Sequence, residues 1–245
     1  RGRRGLLARQ CTAVVGTRHA SPRGMRAAWE IARRETAAGR TVVSGAARGI
    51  DGAAHQGALD AGQGLTCAVL GCGIDQSYPA MHRHLLARIA AEGVVVSEFP
   101  PGTEPRKAYF PMRNRIIAGL AATVVVVEAP ERSGALITAR QALDEGREVQ
   151  VCPWDVRTPR TLGVWGLQAE GAAWYDFGQD GREEGVREAS PLLELLREGP
   201  QSLNGLLERL ELPPETLLPH LMRLQLDNRV TTRSGCFWLK AGPCF

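Results

Sequence analysis

The chain has 245 residues, long enough for one large domain or two unequal ones with a full apolar core. No run of about eighteen apolar residues occurs, and the basic N-terminal residues lack the apolar segment of a signal peptide, so we expect no membrane-spanning helix and no secretion signal. Thirty basic and 26 acidic side chains give a net charge of +4, which permits nucleic-acid binding without indicating it. The chain begins with arginine, so we expect it to be part of a longer protein.

Short apolar runs alternate with helical patterns through the first two thirds of the chain. Ser21 and Pro22 mark the cap and first residue of a helix that ends near Gly39. Pro111 is the predicted first residue of the helix after the fourth strand, and Ser133 opens the helix after the fifth. A further helix is predicted at residues 80–91. The predicted strands cover residues 12–15, 41–44, 66–70, 94–97, 123–128 and 148–152.

This alternation predicts an α/β fold, an extended Rossmann-like, doubly wound and mainly parallel sheet with helices on both faces. In such sheets ligands bind outside the carboxyl ends of the strands. Glycines, small hydroxyl side chains and an arginine follow several predicted strands, so we expect them to converge on one pocket at that edge, floored by helix N-termini. These residues are Gly16, Thr17, Arg18, Ser44, Gly45, Gly71, Ser97, Ser133 and Gly134.

The segment 106–119 carries four basic residues, two aromatic residues and no acidic residue. Basic side chains interleaved with aromatic rings at the start of a helix suit a polyanion whose bases can stack. The alternative is a solvated loop before an ordinary amphipathic helix, the commoner origin of a charge run. The basic residues are Arg106, Lys107, Arg113 and Arg115, and Tyr109 and Phe110 lie between the two pairs.

Residues 178–185 are polar and rich in glycine, and we interpret them as a linker. The linker closes a Rossmann-like domain at 1–185 and precedes a small domain at 186–245. The small domain has three helical patterns followed by two strands joined by a glycine-containing turn, which is typical of a winged helix.

The third helix of the small domain is a poor surface for reading a DNA groove. It carries Arg223 and Asn228, but also two acidic residues, Glu215 and Asp227, and several prolines. We therefore expect the winged helix to contact protein or to act as a spacer.

Motifs for cofactors and metals are missing. The first strand is not followed by a Gly-x-Gly-x-x-Gly pattern, and no Walker motif occurs, so a dinucleotide or nucleoside triphosphate is not indicated. His82 and His84 have the closest approach to ligand spacing, but helical geometry would separate them. The six cysteines form no Cys-x-x-Cys pair, which favours buried, reduced thiols in a cytoplasmic protein. We predict no cofactor and no metal.

Several distinctive sequence blocks lie between residues 12 and 153. They are Val15-Gly-Thr-Arg18, Ser44-Gly-Ala-Ala-Arg-Gly-Ile-Asp51 with Ala53-Ala54-His55, Gly71-Cys-Gly-Ile-Asp75 with Tyr78-Pro79, Ser97-Glu98, Phe110-Pro-Met-Arg-Asn-Arg-Ile-Ile-Ala-Gly119, and Glu128 with Ser133-Gly-Ala-Leu-Ile-Thr-Ala139. The Arg-Asn-Arg block and the Ser-Gly-x-Ala-Arg-Gly block are the most specific of them. Together the blocks resemble the DNA-processing protein A family, also called DprA/Smf.

The resemblance implies a bacterial, cytoplasmic, non-enzymatic protein that binds single-stranded DNA in natural transformation. Such a protein protects incoming strands and loads the RecA recombinase onto them past single-strand-binding protein. The resemblance also implies a homodimer formed through the Rossmann domain, without membrane association. Many members carry a further N-terminal helical domain, which we expect to be missing from this sequence.

Residue by residue, Arg18 and Lys107 match the family's DNA contacts, and Ser44 and Gly45 are implied to line the same pocket. Ala80 stands where some members have lysine, and Arg83 follows three residues later as a candidate replacement. We predict no catalytic residue. The full set of predicted nucleic-acid-binding residues is Gly16, Thr17, Arg18, Ser44, Gly45, Arg83, Lys107, Phe110, Arg113, Arg115, Ser133 and Gly134.

The alternative function is a Rossmann-type phosphoribohydrolase-like enzyme that acts on nucleoside monophosphates. Glu98 and Glu128 follow the fourth and fifth predicted strands, where catalytic carboxylates often lie, and Glu128 would be the acid. Pairing with nearby arginine side chains is the structural interpretation of both. The loop 130–134 reads Pro-Glu-Arg-Ser-Gly, in contrast to the Pro-Gly-Gly-x-Gly-Thr loop of those enzymes.

Overall fold

The computed structural model describes residues 1–177, 191–210, 212–226, 230–233 and 235–239. They form two compact units. The first contains Arg1–Cys152 and Pro159–Asp176, and the second contains Pro153–Thr158 and the described residues from Phe177 onward. The predicted linker and the predicted boundary after residue 185 lie outside the described residues. Among the described helices, none combines the length and the apolar composition needed to cross a membrane.

A seven-stranded sheet forms the centre of the first unit. Its strands are β1 Cys11–Val15, β2 Thr41–Ser44, β3 Thr66–Leu70, β4 Val94–Ser97, β5 Thr123–Val126, β6 Glu148–Val151 and β7 Ala173–Trp174. Every neighbouring pair is parallel, and the order across the sheet is β4-β3-β2-β1-β5-β6-β7. The chain therefore winds outward from β1 to β4, returns to the centre at β5, and winds outward again on the other side. This confirms the predicted doubly wound parallel sheet.

Helices connect successive strands and cover the sheet. They are α1 Pro22–Ala37, α2 Ile50–Asp60, α3 Arg83–Glu92, α4 Tyr109–Leu120, α5 Gly134–Asp144 and α6 Leu162–Ala169, with short 3₁₀ helices at Arg4–Ala8 and Ala80–His82. α1 packs against α2, and α4 packs against α5. Strands β1, β2 and β3 are buried along their whole length, as their apolar composition predicts.

The local start signals are confirmed for two helices and need correction for a third. The Ser21 hydroxyl oxygen accepts a hydrogen bond from the Gly24 amide at 2.9 Å, and that of Ser133 accepts one from the Ala135 amide at 3.3 Å. Pro111, predicted as the first residue of its helix, is the third, because α4 begins at Tyr109. The first-turn amide groups have no intrahelical acceptor, so a proline fits at the third position as well as at the first.

Two elements of the first unit carry little sequence signal. β7 has only two residues and joins the sheet through backbone pairing with β6. α6 lies where the periodic pattern weakens after Pro153. The cysteines follow the prediction for their burial. Cys11, Cys67, Cys72 and Cys152 are buried and Cys236 is half-buried, whereas Cys244 lies outside the described residues.

The second unit contains the predicted three helices and hairpin. Its elements are α7 Pro191–Arg197, β8 Gln201–Ser202, α8 Leu203–Leu210, α9 Pro214–Leu226, β9 Val230–Arg233 and β10 Cys236–Leu239. β10 pairs antiparallel with both β9 and β8, and Gly235 at a φ of +76° makes the turn between the hairpin strands. A leucine core that includes Leu192, Leu206, Leu217 and Leu221 holds the helices together. This arrangement confirms the winged helix.

Candidate nucleic-acid interface

A crevice lies where the winding of the sheet reverses direction. β1 and β5 are neighbours, but the chain leaves β1 toward one side of the sheet and β5 toward the other, so the loops that follow them diverge. The Thr17 amide donates to the Glu128 carbonyl oxygen at 2.6 Å and joins the two loops at the base of the crevice. A cavity of about 430 Å³ opens there, between the β1 loop and the first turns of α4 and α5.

Three exposed cations line this cavity, and they come from three different loops: Arg18, Lys107 and Arg132. Ser133 and Gly134 line it as well, at the N-terminus of α5, where amide groups without an intrahelical acceptor favour an anion. The structure therefore gathers separate parts of the chain into one positively charged mouth. Arg132 was missed by the sequence analysis. Its place directly before the helix cap Ser133 is the signal that could have located it.

Phe110 forms one wall of the cavity. The guanidinium carbon of Arg18 lies 5.1 Å from the centroid of its ring, and the ring of Tyr78 lies 5.3 Å away on a tilted plane. Gly71, directly after β3, leaves the space that the Phe110 ring occupies, since a Cβ atom on Gly71 would lie 2.9 Å from Cδ1 of Phe110. The half-buried ring beside a guanidinium group provides a face on which an unpaired base can stack.

Arg113 lies at the floor of the same cavity, but its side chain is only 3% exposed. Its Nη1 group donates to the carbonyl oxygens of Gly45, at 2.9 Å, and of Val69. Burial lowers the pKa of Arg113 to about 10, although the neighbouring Asp51 favours its charged form. Burial likewise raises the pKa of the Asp51 carboxyl group, against the attraction of Arg113. The geometry makes Arg113 a support beneath the cavity.

The loop after β2 is held in one conformation by close contacts. A Cβ atom on Gly45 would lie 2.4 Å from Nη2 of Arg113, and one on Gly49 would lie 2.4 Å from the Thr17 carbonyl oxygen. Gly49 has a φ of +76°, and Ala46 adopts +54°, a conformation that side chains rarely take. The Asp51 carboxylate accepts a hydrogen bond from the Ala47 amide at 3.3 Å. These contacts join the loops after β1 and β2 into one rigid floor.

Several predicted binding residues lie elsewhere. The Ser44 hydroxyl is buried and donates to the Val14 carbonyl oxygen at 2.7 Å, and Arg115 is paired with Glu98. A second, smaller cavity of about 310 Å³ lies beside the main cavity, and Gly45 lines it. Arg83 is exposed at the start of α3 and lines neither of the two cavities. The remaining predicted residues line the main cavity: Gly16, Thr17, Arg18, Lys107, Phe110, Arg113, Ser133 and Gly134.

The two carboxylates of the alternative enzyme have structural partners. Glu128 is 3% exposed and accepts hydrogen bonds from the Ser21 amide at 2.8 Å and the Ser21 hydroxyl at 2.5 Å, at the N-terminus of α1. Gly24 leaves room for it, since a Cβ atom there would lie 2.4 Å from its carboxyl carbon. Glu98 forms the ion pair with Arg115. Within the described residues, no cluster of three or more potential metal ligands occurs.

Comparison with known proteins adds independent evidence. A family model described as DNA recombination-mediator protein A matches residues 1–184. Protein Smf of Synechocystis is 48% identical over 159 residues, which cover 65% of this chain and 40% of that protein. DNA processing protein DprA of Streptococcus pneumoniae is 42% identical over 183 residues, 74% of this chain and 63% of that protein. Protein Smf of Escherichia coli is 47% identical over 190 residues, which cover 76% of this chain and 47% of that protein. The matches thus span between 40% and 63% of these three relatives.

Solved structures give the same result. The X-ray structure of DNA processing protein A from Streptococcus pneumoniae superposes with a TM-score of 0.69 and 41% identity, over 75% of this chain and 64% of that one. A structure of DNA processing protein A from Helicobacter pylori concerns the single-stranded DNA binding mode of that protein. It superposes with a TM-score of 0.67 and 29% identity, over 72% of this chain and 80% of that one. The sequence blocks, the doubly wound sheet and these matches agree, and the chain belongs to the DNA recombination-mediator protein A family, also called DprA/Smf.

Proposed function

We propose that this chain binds single-stranded DNA as a recombination mediator and is not an enzyme. The observation that carries the proposal is the convergence of Arg18, Lys107 and Arg132 on one cavity beside the ring of Phe110. Cations bind phosphates of any sequence, and an aromatic face stacks on any base, so this combination suits a single strand without sequence readout.

A preference for single strands follows from the aromatic wall. In a duplex the bases are paired and stacked inside, so a duplex offers the cavity only phosphates. A single strand offers phosphates to the cations and an unpaired base to Phe110. We therefore expect stacking to favour the single strand by about 1–3 kcal/mol per stacked base.

Membership in the family supports the same ligand, as does the similarity to the Helicobacter pylori protein, whose structure concerns single-stranded DNA binding. We extend the proposal to the activities that the resemblance implies. The chain would act in the cytoplasm during natural transformation, protect incoming strands, and load RecA onto them past single-strand-binding protein.

A homodimer is part of the proposal because of the size of the cavity. About 430 Å³ admits only a small part of a long strand, whereas two cavities on a dimer can hold one strand together. The second contact is then intramolecular, which raises the affinity without new chemistry. Affinity should climb sharply once an oligonucleotide is long enough to reach both cavities.

Fluorescence anisotropy with a labelled oligothymidylate and with a duplex of equal length tests the proposal. We expect tighter binding of the single strand, with an affinity that falls as salt rises from about 50 to about 200 mM. Arg18→Ala should weaken this binding, whereas Arg140→Ala, an exposed arginine on α5 that lines neither cavity, should leave it unchanged. Equal or tighter binding of the duplex would overturn the proposal.

One observation keeps the alternative enzyme open to test. Asp51 lines the cavity, and burial raises its pKa, as in a general acid. If the chain were a phosphoribohydrolase, incubation with AMP would release adenine, and Asp51→Asn would abolish the release. We expect liquid chromatography to detect no free adenine with the unaltered chain or with Asp51→Asn. The Asp51 carboxyl group has a structural role, since it lies beside Arg113 and accepts a hydrogen bond from the Ala47 amide.

A further inference from the structure

A second cavity of about 310 Å³ lies beside the first and shares part of its lining. Arg18, Ala47 and Phe110 line both cavities, so the ring of Phe110 and the guanidinium group of Arg18 form a common wall. On the far side the second cavity is lined by Arg48 and by the segment 78–81. The two cavities are therefore consecutive spaces along one path over this edge of the sheet.

The lining of the second cavity has the two features that a nucleotide requires. Two large apolar side chains at this cavity are unusually exposed: Tyr78 is 41% exposed and Met81 is 68% exposed. Arg48 is exposed and adds a second cation besides Arg18. A flat aromatic face with a thioether beside it accepts a base, and the arginine side chains accept phosphate.

The second cavity is built before any ligand arrives. Nδ1 of His82 lies 3.0 Å from the carbonyl oxygen of Ala46, and because that oxygen can only accept, Nδ1 must carry the proton. Gly52 leaves room for the imidazole ring, since a Cβ atom there would lie 2.7 Å from Cε1 of His82. This bond attaches the segment with Tyr78 and Met81 to the floor on which Arg48 lies. A preformed site loses little entropy when it binds.

We infer that the second cavity is a subsite for an adjacent nucleotide of the same single strand. The base of this nucleotide stacks on Tyr78 and contacts Met81. The phosphate between the two cavities lies against Arg18, and Arg48 binds the next phosphate along the strand. This inference rests on the proposed function and extends it, because it makes Phe110 a partition between two neighbouring bases. The strand then passes over Phe110 with one base on either side.

Three variants of the full chain test the subsite: Tyr78→Ala, Met81→Ala and Arg48→Ala. The matched control is Met112→Ala, because Met112 is 54% exposed on α4 and lines neither cavity. We expect Tyr78→Ala and Arg48→Ala to weaken binding of a short oligothymidylate about tenfold and Met81→Ala by a smaller factor. Met112→Ala should bind as the unaltered chain does.

Photo-crosslinking gives a direct readout that a change of stability would not move. An oligothymidylate with one 5-iodouracil is irradiated on the unaltered protein, and the crosslinked residue is identified by mass spectrometry. We expect crosslinks at Phe110 and, with the iodouracil at a neighbouring position, at Tyr78. Crosslinks confined to Phe110 would overturn the second subsite.

The outcomes separate the subsite from the proposed function. If the unaltered chain binds no single strand, both fall. A second outcome is that the unaltered chain binds single strands and Arg18→Ala weakens the binding, while Arg48→Ala and Met81→Ala bind as Met112→Ala does. In that case the proposed function stands and the second subsite falls. Since Arg48 and Met81 are exposed, their variants keep the test decisive even if Tyr78→Ala also shifts the ring of Phe110.

Discussion

Two parts of the basic segment, residues 106–110 and residues 113–115, carry similar charge but occupy very different environments. In the first part Lys107 is exposed at the mouth of the main cavity, and Phe110 forms its wall. In the second part Arg113 is buried against backbone carbonyl groups, and Arg115 is paired on the surface with Glu98. Of the two parts, only the first places an exposed cation at the cavity.

The difference shows that the number of cations in a segment does not give the number of cations exposed at a cavity. A buried guanidinium group needs acceptors for its N–H groups, and Arg113 finds them at the ends of β2 and β3. Arg113 fixes the loop that forms the floor, and Lys107 is the cation for which we propose contact with the strand at the cavity mouth.

The largest expected effect is on stability, in Arg113→Ala. Removing the guanidinium group leaves the Asp51 carboxyl group buried and two carbonyl oxygens without their donor, which should lower the free energy of unfolding by about 3–5 kcal/mol. Urea unfolding followed by circular dichroism measures this. Arg113→Lys should recover only part of the loss, because a single ammonium group cannot reproduce the forked donors. An Arg113→Ala protein that is fully stable but no longer binds DNA would reverse the roles assigned to Arg113 and Lys107.

Arg18→Ala and Lys107→Ala should change affinity and leave stability intact. Each removes an exposed cation at the cavity mouth, and we expect a loss of about 1–3 kcal/mol in single-strand binding with an unchanged urea midpoint. In a plot of the logarithm of the binding constant against the logarithm of the salt concentration, the slope should also become shallower by about 1, the value for one lost phosphate contact. Anisotropy titrations at several salt concentrations give both values. If both variants bind as the unaltered chain does, this cavity is not the DNA site.

A smaller effect is expected from Gly71→Ala. The added Cβ atom would lie 2.9 Å from the ring of Phe110 and should displace it from the cavity wall. We predict a loss of single-strand affinity of about 1 kcal/mol, below the value of a full base stack. Gly166→Ala on α6 is the control, because no atom beyond its chain neighbours and the adjoining helix backbone lies within 4 Å of the position that its added methyl group would take. It should keep full affinity. Equal affinity in both variants would mean that the position of the Phe110 ring does not matter.

The smallest effect is predicted for Arg115→Ala. The side chain is 59% exposed, and its partner Glu98 is 30% exposed, so the ion pair contributes about 0–1 kcal/mol to stability. Single-strand affinity should change less than twofold, about 0.4 kcal/mol, because the charge lines neither cavity. A loss as large as that of Lys107→Ala would show that the DNA path extends along α4 and would end the distinction between the two parts of the segment.

The sequence by itself determined the first six strands of the large sheet, the helices between them, and the edge of the sheet at which the candidate site lies. Unbroken apolar runs such as those of β1 and β3 specify strands buried on both faces, and local caps such as Ser21 and Ser133 specify helix starts, because these signals depend on a few neighbouring residues. The parallel sheet then brings the ends of the strands to one edge, whatever the details of packing.

Only the tertiary structure decided which side chains are available at that edge. Whether Arg113 is buried or exposed depends on the carbonyl oxygens of Gly45 and Val69, which are far from it in the chain. The packing of the Tyr78 ring against Phe110 depends in the same way on which loops become neighbours across the sheet. Burial and partner choice are properties of the folded arrangement, so a pattern read along the chain cannot supply them.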